Sequence, residues 1–121
     1  MLIFAYGSNM DSKRLRSRVP SAKSVIAAFI SRYQLRFNKV SNNDGSAKAN
    51  IIQTTNDDDI VWGVIYEIDD SEKSTLDDFE GLGFGYNESQ LWFTDVEGKT
   101  YRAWAYLGDV DTLDNTLLPL V

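Results

Sequence analysis

From Ile60 to Ile68 the chain sets Ile60, Trp62, Val64, Tyr66 and Ile68 at every second position. Only an extended strand gathers that spacing into a single face. Gly63 falls on the opposite face, where a neighbouring backbone or a ligand comes close. This is the clearest strand in the sequence, and the rest of the fold has to be built around it.

Other short runs read the same way. Leu2 to Tyr6 is apolar and aromatic and runs into Gly7-Ser8-Asn9, residues that favour turns and caps, so it reads as a buried strand entering a loop. Ser24 to Val40 is rich in β-branched and aromatic residues, with Tyr33, Leu35 and Phe37 alternating against Gln34, Arg36 and Asn38. Ser41 to Ser46 reads as a loop and Ala49 to Thr54 as a further strand. Tyr86 to Asp95 and Lys99 to Leu107 form two more strands across a turn at Glu97-Gly98. Two short helices interrupt this series. Ser12 to Arg18 is capped by Asn9 or Asp11 and stopped by Pro20, and Glu72 to Glu80 follows the cap oxygens of Asp69-Asp70-Ser71. Short strands and few helices predict a small α+β domain with a curled or closed sheet, and nothing in residues 1–121 suggests a repeat or an interdomain linker.

Composition narrows the chemistry. The chain holds no histidine and no cysteine, which excludes thiol nucleophiles, imidazole acid/base work and the usual zinc ligand sets. Carboxylates, tyrosines, hydroxyls, lysines and backbone amides have to do any catalysis. Eighteen acidic residues against twelve basic ones leave a net charge of −6, which argues against nucleic acid as a partner. The basic run Lys13-Arg14-Leu15-Arg16-Ser17-Arg18 lacks interleaved aromatics and reads as a solvated helix face. Asp57, Asp58 and Asp59 are adjacent and project apart, so they read as a solvated turn rather than a cation site. The absence of cysteine, of a leader-like N-terminus and of an apolar stretch near the roughly 20 residues needed to span a bilayer suggests a cytoplasmic protein with no membrane partner.

Two segments carry candidate chemistry. In Leu76-Asp77-Asp78-Phe79-Glu80-Gly81, Leu76 and Glu80 lie four residues apart on one helix face, so Glu80 points where the apolar side chains point. A carboxylate placed there, with no adjacent arginine or lysine, is desolvated and titrates nearer neutrality, as a general base requires. The same pattern also suits a helix-end residue reaching solvent, and local spacing leaves both open. Gly81, Gly83 and Gly85 follow a helix rather than a strand, the wrong setting for a dinucleotide loop. Tyr6-Gly7-Ser8-Asn9 leaves a buried strand through a glycine, which either aims several backbone amides at one oxygen or simply turns the chain.

Taken together, Phe4-Ala5-Tyr6-Gly7-Ser8-Asn9-Met10, Val61-Trp62-Gly63-Val64-Ile65-Tyr66, and Leu76-Asp77 to Glu80-Gly81 with Gly85-Tyr86 resemble the γ-glutamylcyclotransferase family, in order and over residues 2 to about 107. The resemblance implies a small mixed β-barrel with flanking short helices. It implies that Tyr6, Gly7, Ser8 and Asn9 hold a γ-glutamyl head group, that Glu80 is the acid/base, and that Tyr86 lines the pocket. The implied reaction uses no cofactor and no metal: a small γ-glutamyl peptide or amine closes on itself to 5-oxoproline and releases an amine. Tyr86 and Tyr6 remain open between pocket walls and packed core rings.

Relatives of this kind commonly continue beyond the region of Leu117-Leu118-Pro119 into a helix that carries another pocket tyrosine, whereas this single domain, residues 1–121, reads as C-terminally short. The apolar terminus Leu117 to Val121 either docks on its own core or joins a second copy as a homo-oligomer. A non-catalytic relative binding a small amino-acid-like ligand, or a protein-interaction module on the same barrel, stands as the alternative to an enzyme.

Overall fold

The computed structural model describes residues 1–40, 47–80, 82–83 and 86–108. The loop read at Ser41 to Ser46 and the terminus at Leu117 to Val121 lie outside these. Seven strands and two helices follow along the chain: β1 (Leu2–Ala5), α1 (Ser12–Arg18), β2 (Lys23–Ser31), β3 (Tyr33–Val40), β4 (Ala47–Gln53), β5 (Ile60–Glu67), α2 (Lys73–Glu80), β6 (Tyr86–Thr94) and β7 (Thr100–Gly108). Five of the strands close into a barrel in the order β1-β5-β2-β6-β7, and β3 and β4 pair with each other. The barrel is mixed, because β1 runs antiparallel to β5 and parallel to β7.

β1 is apolar on both faces because both are covered. Phe4 points into the barrel with Ala28, Ile30, Val61, Ile65, Phe93, Ala103 and Ala105. The small alanines leave room for the Phe4 ring to stack on Phe93 at 4.0 Å between centroids. Ile3 and Ala5 point outward against a second cluster, in which Tyr66 and Ile68 of the barrel wall meet Leu15 and Val19 of the α1 segment and Leu76 of α2. The alternation read in β5 is therefore present, with a division that only the barrel makes visible. Val61, Gly63 and Ile65 face the interior; of the opposite set, Tyr66 and Ile68 lie buried under the helices, whereas Ile60 and Trp62 stand exposed on the outer wall.

The stretch from Ser24 to Val40 is two strands rather than one. Arg32 sits at φ 64, a left-handed conformation uncommon for any residue but glycine. Its amide donates to the Asp59 carbonyl and its own carbonyl accepts from Thr54, both at 2.7 Å, which redirects the chain from the barrel into the β3–β4 pair. Leu35, read as part of a half-buried stripe, is exposed because β3 leaves the barrel there. Asp11 proves to be the cap of α1, accepting from the amides of Lys13 and Arg14. Asp57 and Asp59 are engaged in the turn before β5, by Arg32 and by the Gln34 side chain. Among the described residues no helix is long and apolar enough to cross a membrane.

Candidate active site

Helix α2 puts Lys73, Leu76, Asp77 and Glu80 on one stripe facing the barrel, the i, i+3, i+4, i+7 set of a helix. Its start differs from the expected one: the Asp69 side chain makes no capping bond, and Asp70 to Glu72 form a separate 3-10 turn. Asp70 instead accepts from the N-terminal ammonium at 3.1 Å, and Glu72 accepts from the amide and hydroxyl of Ser21. At the other end the Leu82 amide bonds the Asp77 carbonyl at 3.0 Å. That six-to-one bond is how a Schellman end closes a helix, and it leaves half-buried Glu80 at the tip.

The charge at that tip reaches tyrosines at three strand ends. Tyr6 follows β1, Tyr86 opens β6 and Tyr106 lies near the end of β7. Burial, then the neighbouring Tyr86 and the Glu80 carboxylate, push the Tyr6 hydroxyl well above the usual phenol range. Burial and Glu80 push Tyr86 up to about 12. Tyr106 rises further still, through burial, its hydrogen bond to Asp77, and the negative charges of Asp77, Glu80 and Glu88. The negative field of Glu80 thus reaches all three hydroxyls, and each stays protonated at neutral pH. They are neutral hydroxyls within the field of one carboxylate.

A second layer ties these groups together. The Tyr6 hydroxyl donates to the Tyr106 carbonyl at 2.5 Å, and the Tyr106 hydroxyl donates to Asp77 at 2.5 Å. Lys73 donates to Asp77 and to Glu88 of β6. Asn50 of β4, almost fully buried, accepts from the Gly108 amide at 2.9 Å and so fastens the second sheet to the end of β7.

Gly7 turns the chain out of β1 at φ 67, and Gly7 to Met10 form one 3-10 turn. The opening amides of such a turn have no partner within it, and the residues expected to supply them, Gly7, Ser8 and Asn9, follow directly on Tyr6. The Ala49 Cβ of β4 stands 3.1 Å from where a Gly7 side chain would begin, and Tyr66 holds the far end of the turn by donating to the Met10 carbonyl at 2.9 Å.

The structure therefore brings Glu80, Tyr6 and Tyr86 into one electrostatic neighbourhood, with the Gly7 turn one residue beyond Tyr6. Tyr86 is at once a packed ring of the outer cluster and a hydroxyl that feels Glu80. Four residues of the neighbourhood escaped the sequence reading: Tyr106, Lys73, Asp77 and Glu88. The first three carried a usable signal, since Lys73 and Asp77 share the helix stripe of Leu76 and Glu80, and Tyr106 alternates with Ala105 in β7. The side on which Glu88 falls depends on hairpin register, which local sequence does not reveal.

The model of the family described as gamma-glutamyl cyclotransferase, AIG2-like, matches residues 3–119. The chain is 34% identical over 111 residues to the mouse protein named gamma-glutamylcyclotransferase, an alignment covering 88% of this chain and 58% of that protein. The human protein of the same name is 33% identical over the same length and shares. A solved structure titled gamma-glutamyl cyclotransferase superposes with a TM-score of 0.85 at 29% identity, over 94% of this chain and 68% of that one. The chain thus spans well under two thirds of the curated mouse and human relatives. With the closed mixed barrel, the family match and these similarities in agreement, the chain belongs to the gamma-glutamyl cyclotransferase, AIG2-like family.

Proposed function

We propose that this protein is a γ-glutamyl cyclotransferase that converts a small γ-glutamyl peptide or amine to 5-oxoproline and a free amine, with Glu80 as the general acid/base. The observation that carries the reading is the placement of Glu80 at the tip of α2, where its charge acts on three hydroxyls that stay protonated. Glu80 ends the helix, and its charge acts on the Tyr6 hydroxyl, which leads directly into the Gly7 turn. The relatives named gamma-glutamylcyclotransferase support the substrate class.

In this mechanism the substrate α-ammonium gives a proton to Glu80. The freed amine attacks the γ-carbonyl of the same molecule, forming the ring C–N bond. The tetrahedral oxygen is stabilised by amides of the Gly7, Ser8, Asn9 turn, each such donor contributing about 3 kcal/mol. Collapse breaks the original amide C–N bond; Glu80 returns its proton to the departing nitrogen, and the second proton, on the new ring nitrogen, passes over the same carboxylate to the amine, which leaves as an ammonium ion. Nucleophile and electrophile are tethered, so holding the substrate folded supplies most of the acceleration. Tyr6, whose proton is held by the Tyr106 carbonyl, and Tyr86 line the head-group site as neutral hydroxyls that do not compete for the proton. A cofactor-free reaction of this kind suits a cytoplasmic setting, in keeping with a chain that has no cysteine.

The test is incubation with a panel of γ-glutamyl dipeptides and γ-glutamylamines, with 5-oxoproline measured by mass spectrometry, for the wild type and a folded Glu80→Gln variant. Product from the wild type and a loss of at least about 100-fold in the variant is the expected result. Equal product from both removes Glu80 from its role. No product from the wild type on any substrate overturns the enzymatic reading.

A further inference from the structure

Helix α2 offers little apolar surface to hold it in place. It has eight residues, of which only Leu76 is buried, and so short a helix depends on tertiary contacts to persist. Its firmest contacts are polar and centre on Lys73. The Lys73 side chain is 13% exposed and donates to both Asp77 and Glu88. Its ammonium lies 5.3 Å from the centre of the Tyr106 ring and 5.6 Å from that of Trp104, within reach of both ring faces. Asp77 also accepts the Tyr106 hydroxyl. Glu88 and Tyr106 are direct cross-strand partners. Both anchors of the helix therefore sit on one rung of the β6–β7 ladder, the rung whose Tyr106 carbonyl receives the Tyr6 hydroxyl.

We propose that Lys73 is a positioning residue for Glu80: by bridging Asp77 on its own helix to Glu88 on β6, it sets the seat of α2 on the hairpin and so the place of the Glu80 carboxylate beside Tyr6 and Tyr86. The proposal deepens the cyclotransferase reading and rests on it for its functional meaning. Without the ammonium, Asp77 and Glu88 face the same rung as like charges. The helix then shifts away from the hairpin, and Glu80, three residues beyond Asp77, shifts with it. Exposed ion pairs rarely matter this much, but this cation is nearly enclosed and has two carboxylates and two rings as partners.

The experiment compares wild type, Lys73→Met and Lys73→Arg by two independent readouts. One is NMR: the Glu80 side-chain carboxyl ¹³C titration, assigned with Glu80→Gln, and the nuclear Overhauser contacts between Glu80 and the Tyr86 ring. The other is the kcat against KM split for release of 5-oxoproline. The expected result is an altered Glu80 midpoint and weakened Tyr86 contacts in Lys73→Met. With these go a fall in kcat on the order of 10- to 100-fold, as small misplacements of a catalytic group produce, little change in KM, and substantial recovery in Lys73→Arg. Unaltered Glu80 titration and contacts in a folded Lys73→Met overturn the proposal. A wild type without turnover sinks the cyclotransferase reading alone, because the NMR readout still decides the positioning. If Lys73→Met does not fold, the isosteric Glu88→Gln, which removes the anchor on β6, is read in its place by the same criteria.

Discussion

Gly63 shows how one residue can be indispensable without touching any substrate. A Cβ there would lie 2.5 Å from the Ala5 carbonyl and 2.5 Å from the Phe4 ring. The carbonyl belongs to a strand fixed by the barrel ladder, and the ring is stacked on Phe93, so neither can yield cheaply. Gly63→Ala is expected to cost about 1–3 kcal/mol as an overpacked core, lowering Tm by several degrees. Gly98→Ala is the control: its φ of 86 brings backbone strain, but nothing stands within 4 Å of the added carbon. If thermal melts show Gly63→Ala to be no worse than Gly98→Ala, the close approach of β1 to β5 is not what keeps a glycine there. The sequence reading placed Gly63 where a backbone or a ligand comes close, and it is the β1 backbone and the Phe4 ring that do so.

At the scale of elements, the β6–β7 hairpin carries Tyr86, Glu88 and Tyr106 and is held at its turn by the buried carboxylate of Asp95. One Asp95 oxygen accepts from the amides of Glu97 and Lys99, each at 2.9 Å, and the other accepts from the Tyr101 hydroxyl at 3.0 Å. Burial alone would raise its pKa; the bonds from Lys99, Tyr101 and Glu97, with the Lys99 charge, outweigh that and hold the carboxyl below its ordinary value. A depressed folded value means that the stabilisation is complete above the unfolded pKa of about 3.9 and is lost as pH falls through the folded one. Urea midpoints for wild type and Asp95→Asn are therefore expected to differ at pH 7 and to converge as pH falls through the depressed folded value. A gap that stays constant down to pH 2 would show that the charge of Asp95 is irrelevant to the turn. The hairpin itself was legible from alternation and from Glu97-Gly98, because its register depends on local turn geometry. The break at Arg32 was not legible, because nothing in its side chain calls for a positive φ; contacts with Asp59 and Thr54, more than twenty residues on, impose it.

For the molecule as a whole, the barrel brings Tyr6, Tyr86 and Tyr106 into the field of Glu80 and raises the pKa of each. Their folded values lie above the unfolded value of about 10. The stability they contribute is thus full below pH 10 and declines as pH rises towards the folded values, because above pH 10 the unfolded chain sheds protons that the fold retains. Denaturant midpoints are expected to fall steadily between about pH 10 and 12, and spectrophotometric titration of the folded protein at 295 nm is expected to show these phenolates appearing late. Replacing Tyr106 by Phe, which removes the donor to Asp77, is expected to reduce the alkaline slope; an unchanged slope would place the effect elsewhere.

Most of the strands, both helices and a cap at Asn9 or Asp11 were accessible from residue type and spacing, because periodicity and cap chemistry act over a few residues; roles for Glu80 and the Tyr6 to Asn9 segment came only with the family resemblance. Short strands left the sheet open between curled and closed, and the mixed barrel followed from resemblance, since strand order depends on contacts far apart in sequence. The exposure of Ile60 and Trp62 against the burial of Tyr66 and Ile68, four positions of one alternating face, was decided by where the two helices happen to lie. So was the clasp of Lys73 on Glu88, together with the meeting of three strand-end tyrosines at a single carboxylate. Each of these depends on charge and packing between segments that are neighbours only once the barrel has closed.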